Sequence, residues 1–169
     1  RNRPLQVAGP GWSRERPVLA GSSSWPAISR CMTDRRLKIV RQRPAAPVGV
    51  DYLLISGQAS ILYGAATFSE DVDVWVAPAA PNVLRLKRSL ASLGARVSKL
   101  TPPLTRRYML AGHGFHFVVP SKPLPIYLDI LGHPPRVRGF GSARRTAREI
   151  RCVWGCIPVV SIEDLVAMK

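Results

Sequence analysis

Residues 55–76 read ISGQASILYGAATFSEDVDVWV, and the second half of that stretch decides the fold. In DVDVWV, residues 71–76, the apolar and polar side chains alternate, which is the period of a half-buried strand. Val72, Val74 and Val76 face one way, and Asp71, Asp73 and Trp75 face the other. Two carboxylates at i and i+2 lie close together on one side of a strand, where they repel, more so when water is excluded. A divalent cation removes that difficulty, and Mg²⁺ prefers hard oxygen ligands, often one or two carboxylates completed by substrate phosphates. Upstream, DYLLIS (51–56) is a short apolar strand ending at Gly57. GQASILYGA (57–65) follows as a short helix, bracketed by Gly57 and Gly64, whose first N–H groups are free for phosphate oxygens.

Further along, a third acid stands where an acid needs a reason. PIYLDILG (125–132) is a strand with Ile126, Leu128 and Ile130 on one face, and Tyr127, Asp129 and Leu131 on the other. Between these strands, Pro78 and Pro81 start a helix over 82–93, with Val83, Leu86, Leu90 and Leu93 as its stripe and Gly94 as its stop. ARVSKL (95–100), RYMLAG (107–112) and FHFVVP (115–120) are expected as short strands, and 133–146 as a basic loop with a helical turn. EIRCVW and IPVVS, either side of Gly155, are expected to pair as a hairpin. Ser161, three residues before Asp164, resembles a capping box for a helix starting IEDLVAMK. The expected class is α/β (α+β): a mixed central sheet flanked by helices.

Composition sets the frame around this core. The 169 residues are 46% hydrophobic, enough for one domain with a core, and the net charge is +15, which favours polyanionic partners. Residues 1–45 hold 10 of the 25 Lys and Arg with only Glu15 and Asp34 against them. Residues 1–47 also hold six prolines and no sustained period, so they are expected to form a disordered basic arm. The domain is expected over 48–169, ending inside a helix that the chain leaves incomplete. Cys31, Cys152 and Cys156 make no disulfide framework. Cys152 and Cys156 are expected as small buried hydrophobes in a strand pair, and reduced thiols fit the cytoplasm. No apolar run is long enough to span a membrane, and no signal peptide is evident.

At this point the chain resembles the nucleotidyltransferase superfamily related to DNA polymerase beta. The likeness is carried by the strand, Gly57 and short helix, by the Asp71-x-Asp73 strand, and by Asp129 on a later strand. VVSIEDLVAMK (159–169) also looks like the terminal segment of abortive-infection-type nucleotidyltransferase toxins and their bacterial relatives. The resemblance implies a nucleotidyltransferase-like fold over about residues 50–169. It implies that Asp71, Asp73 and Asp129 bind two Mg²⁺ ions, with Asp129 helping to activate the acceptor hydroxyl. It implies that Gly57, Gln58, Ser60 and Lys169 meet the NTP. The acceptor would be transfer RNA or another RNA, a protein hydroxyl or a small molecule, and an antitoxin protein would be a partner if the enzyme is a toxin. Two departures, Gln58 where the family usually has Gly or Ser and Thr67 where many relatives have Arg, keep a second reading open. That reading is a catalytically silent module binding RNA or a partner protein.

Other residues carry weaker signals. Arg106, Arg107, Arg144, Arg145 and Arg148 could neutralise phosphate or guide RNA, though a solvated basic face explains each one alone. His113 and His116 are expected as hydrogen-bonded histidines at a turn and a strand edge. Trp75, on the aspartate face, is expected to pack rather than stack on a base.

Overall fold

The computed structural model describes residues 49–152 and 155–169; the expected basic arm, 1–47, lies outside them. In chain order the elements are β1 (Tyr52–Ile55), α1 (Ser56–Leu62), β2 (Asp71–Val76), α2 (Ala80–Ser92), β3 (Arg96–Val97), α3 (Arg106–Leu110), β4 (Gly114–Val119), β5 (Ile126–Leu131), α4 (Phe140–Thr146), β6 (Arg148–Cys152), β7 (Gly155–Val159) and α5 (Ile162–Ala167). Among the described residues the strands form one seven-stranded sheet in the order β3-β4-β5-β2-β1-β7-β6. β2 runs parallel to β5 and β1 parallel to β7, while β1–β2, β3–β4, β4–β5 and β6–β7 are antiparallel. The expected class, a mixed α/β sheet with helices, is what the chain adopts.

The centre of the sheet is its driest part. Leu53, Leu54, Trp75, Phe115, Ile130 and Val159 are fully enclosed, so the central strands are covered on both faces rather than on one. Trp75 packs, as expected: its indole N–H donates to the Gly132 carbonyl at 3.1 Å, and its ring meets Phe140 edge-on at 5.6 Å.

α2 follows its sequence signals closely. Proline stands in its first turn, Val83, Leu86 and Leu90 are its buried stripe, and Gly94 ends it with φ +63. That conformation costs glycine nothing and lets Ala95 N–H reach back to the Leu90 carbonyl at 2.9 Å. Asn82, 1% exposed, fastens the helix start to the sheet. Its amide donates to the carbonyls of Asp51 (3.0 Å) and Ala77 (2.9 Å), and its oxygen accepts from Asp51 N–H (2.8 Å). Asn82→Ala removes these three bonds and a fourth accepted from Arg85 at 3.1 Å, and leaves backbone groups unsatisfied, so it is expected to lower stability by about 2–3 kcal/mol in urea unfolding.

Two expectations need correction. Residues 107–112 were expected as a strand, but Arg106–Leu110 form α3. The apolar run Tyr108-Met109-Leu110 fits either element, and Thr105 decides: its hydroxyl accepts from Tyr108 N–H as an N-cap. Met109 is then fully enclosed against Gly132, where a Cβ would come within 2.8 Å of the Met109 Cα. The second concerns Cys156, expected as a small buried hydrophobe in a strand pair: the pair forms, but the thiol is exposed. It lies on the β6–β7 hairpin at the sheet's edge, next to the tip. The Cys152 side chain lies outside the described residues, as does Cys31.

Candidate active site

The three aspartates meet through strand register. β2 and β5 run parallel with Asp73 opposite Asp129, so the two residues stand side by side on strands whose backbones are about 4.8 Å apart. Asp71, two residues earlier on β2, shares their face. On the other side of Asp73, its register partner in β1 is Ile55, the last residue of that strand. The chain turns there through Ser56, which has φ +57, a left-handed backbone uncommon for a residue with a side chain. The turn brings the Ser56 hydroxyl within hydrogen-bonding reach of Asp73.

The Asp73 carboxyl is held above the ordinary carboxylate range. Burial is the main cause, and the negative charges of Asp129 and Asp71 add to it. The Ser56 hydroxyl and the His116 imidazole pull in the other direction.

His116 belongs to the same row. β4 pairs antiparallel with β5 so that His116 lies opposite Asp129, and its Nδ1 is 2.8 Å from Asp129 Oδ1. Both side chains are partly exposed, at 29% and 18%. Gly114 leaves room beside the ring: a Cβ there would stand 3.4 Å from His116 Nε2. From the sequence His116 is expected as a hydrogen-bonded histidine, with no spacing to support a base or ligand role; its partner appears once the two strands are laid in register. Ser56 was missed as well, and its one signal was its place at the junction of strand and helix, directly before Gly57.

Around α1 the expected nucleotide contacts separate into two groups. Gln58 is 1% exposed and turned inward, its amide donating to the Ser69 carbonyl at 3.3 Å. Ser69 in turn donates from its hydroxyl to the Asp71 carbonyl at 3.1 Å, so Gln58 braces the loop that delivers β2. Gly57 lies against the same loop, where a Cβ would collide with Ser69 Oγ and come within 2.8 Å of Ser69 Cβ. Gly57→Ala is therefore expected to displace the loop and cost about 1–3 kcal/mol, read as a lower midpoint in chemical unfolding. Ser60 donates from its hydroxyl to the Ser56 carbonyl at 3.0 Å.

One cavity opens beside Asp73, and another adjoins it along α1. The first, about 210 Å³, is lined by Ser56, Asp73, Leu131, Pro134, Pro135 and Lys169, among others. The other, about 540 Å³, is lined by Gly57, Ser60, Tyr63, Phe68, Val166 and Lys169, among others. Leu165 and Lys169 line both. Lys169 thus comes to the aspartate site, Gly57 and Ser60 come to the neighbouring cavity, and Gln58 lines neither. α5, which carries this wall, starts at Ser161, whose hydroxyl accepts from Asp164 N–H at 3.2 Å, the cap read from the sequence. Of the five arginines singled out above, none lines either cavity; Arg144 pairs with Glu149 at 2.9 Å and Arg145 donates to the Gly141 carbonyl at 3.1 Å.

The donor set is all oxygen apart from one imidazole, which suits a hard cation. Among the described residues no three His, Cys, Asp or Glu side chains are gathered into a ready-made metal cage. A site of one or two carboxylates completed by substrate oxygens is the arrangement that fits both observations. No helix among the described residues is long and apolar enough to cross a membrane.

Comparison with protein-family models finds no match, and comparison with curated proteins finds none either. Among solved structures the chain is similar to a "putative nucleotidyltransferase" from Thermotoga maritima. The two share 13% identity with a TM-score of 0.47, over 78% of this chain and 76% of that one. Function is therefore a matter for the residues of the site themselves.

Proposed function

We propose that this domain is a nucleotidyltransferase, moving a nucleotide from an NTP to an acceptor hydroxyl with Mg²⁺ as cofactor. One observation carries the reading: Asp73 and Asp129 lie side by side on parallel strands, with Asp71 on their face and a cavity beside them that Lys169 also lines. The Asp73 charge, disfavoured by burial and by the charges beside it, is stabilised by a cation, and all three aspartates present hard oxygens. Of the three, Asp73 and Asp129, side by side, would hold the metal with substrate oxygens completing its shell, and Asp71 would add its negative charge on the same face. When bound, the metal would polarise the phosphoryl oxygens and make the acceptor hydroxyl more acidic.

The chain's own groups have distinct tasks in this scheme. Ser56 orients the Asp73 carboxylate through its hydroxyl. His116 fixes one oxygen of Asp129, leaving the other to take the proton of an acceptor hydroxyl. The Lys169 ammonium offsets phosphate charge from the cavity wall. Leu131, Pro134 and Pro135 keep water from the same space. An RNA acceptor suits the net charge of +15 better than a neutral small molecule does. A role as the toxin of a toxin–antitoxin pair would add a protein partner.

The test is transfer of label from α-labelled NTP to an RNA pool, with Mg²⁺ and with EDTA. Label in RNA only with Mg²⁺ is the expected result, and no transfer to RNA, protein or small-molecule acceptors would sink the reading. The alternative, a silent nucleotidyltransferase-like module, is favoured by the lack of a preformed cage among the described residues and by the inward turn of Gln58. Calorimetric binding of RNA without binding of Mg²⁺·NTP would establish it.

A further inference from the structure

We propose that the 540 Å³ cavity between α1, the following turn and α5 is the nucleobase subsite, and that it grips the face of the base rather than reading its edge. This rests on the nucleotidyltransferase reading and says where in the site the rest of the nucleotide lies. The volume falls within the range of about 300–1,000 Å³ usual for small-molecule sites. Leu165 and Lys169 are walls of both cavities, so a molecule with its phosphates beside Asp73 passes Lys169 directly into the larger one.

The lining has the chemistry of a stacking site. Phe68 is 61% exposed, Val166 67% and Ile162 46%, an unusual amount of large apolar surface gathered in one cavity wall. A planar aromatic ligand would cover it. The two hydroxyls in the wall are already donating elsewhere, Ser60 to the Ser56 carbonyl and Tyr63 to the Val160 carbonyl at 2.7 Å. Ala65, Ala66 and Gly57 supply no side-chain polar group. Toward the base edge the side chains of the wall keep only the acceptor lone pairs of those two hydroxyls and the Lys169 ammonium, which the phosphates engage, so affinity here follows stacking area, with purines ahead of pyrimidines by a few-fold.

Titration calorimetry with Mg²⁺ and three probes, ATP, CTP and inorganic tripolyphosphate, tests this. ATP is expected to bind the wild-type chain more tightly than tripolyphosphate, with CTP between them. Phe68→Ala is expected to weaken ATP on the order of ten-fold, towards the tripolyphosphate value, and to leave tripolyphosphate unchanged. Phe68→Trp, which keeps an aromatic face, is expected to retain ATP affinity and controls for folding. Equal wild-type affinities for ATP and tripolyphosphate, or full ATP affinity in Phe68→Ala, overturn the subsite while leaving a phosphate-binding transferase in place. Failure of all three probes to bind the wild-type chain overturns the nucleotidyltransferase reading and the subsite with it.

Discussion

Asp73→Asn is expected to lower nucleotide transfer roughly 100- to 1,000-fold while making the apo fold more stable. The two effects share one cause. Asp73 is half-buried, stands opposite Asp129 and is flanked by Asp71, so its charge opposes folding whenever no cation is present. Like charges facing each other across a sheet cost about 0.5–1 kcal/mol, and their relief should raise the unfolding midpoint by about 2–5 °C. The gain has a predictable pH dependence. A carboxyl whose folded pKa lies above its unfolded value binds more protons in the native state within that window, so stability falls as pH rises through it. Above the window the penalty is complete; below the unfolded value of 3.8 it vanishes. Wild type and Asp73→Asn should therefore differ in midpoint at neutral pH and converge on acidification. Mg²⁺ should raise the wild-type midpoint more than that of the variant, since it binds the native carboxylates. A variant less stable than wild type at neutral pH, or one with unchanged transfer, would refute this account of the row.

His116→Ala is expected to reduce transfer on the order of ten-fold, mainly in kcat. The imidazole makes no claim on the nucleotide; it holds Asp129 through a 2.8 Å contact across β4 and β5. Without it the carboxylate is free to rotate, and the geometry of the reacting groups suffers more than ground-state binding does. His116→Asn keeps a donor near the position of Nδ1 and should recover most of the loss, whereas a role confined to packing would be insensitive to that difference. If Ala and Asn variants are equally impaired, or if KM alone changes, His116 does not position Asp129.

Much of this site could be read before any coordinates, because its elements announce themselves locally. The alternation in β2 and β5, the stripe and stop of α2, and the cap at Ser161 are short-range patterns. Asp71, Asp73 and Asp129 were visible as anomalies, charges inside runs that otherwise call for burial. What escaped was non-local or conformational. The meaning of His116 depends on which residue of another strand lies opposite it. Ser56 matters because of a backbone angle more typical of glycine. Gln58 stands in the sequence as an expected nucleotide contact and a departure from the family's Gly or Ser; its inward turn and its bond to the Ser69 carbonyl depend on packing that the local sequence does not carry. α3 was misread because a short apolar run carries no period, and only the Thr105 cap separates helix from strand.

The register that unites β4, β5, β2 and β1 also sets how the gene can vary. His116, Asp129, Asp73 and Ile55 form one rung across four strands, with Ser56 hinged from its end. Side chains alternate along a strand, so deleting or inserting a single residue within β2 or β5 would turn its carboxylates to the opposite face of the sheet. Length changes should therefore be absent inside these strands and concentrated in the connections at 98–105 and 120–125, which lie between paired segments. Homologous chains that keep the chemistry should differ in the length of those loops and agree, residue for residue, in the spacing along each rung-bearing strand.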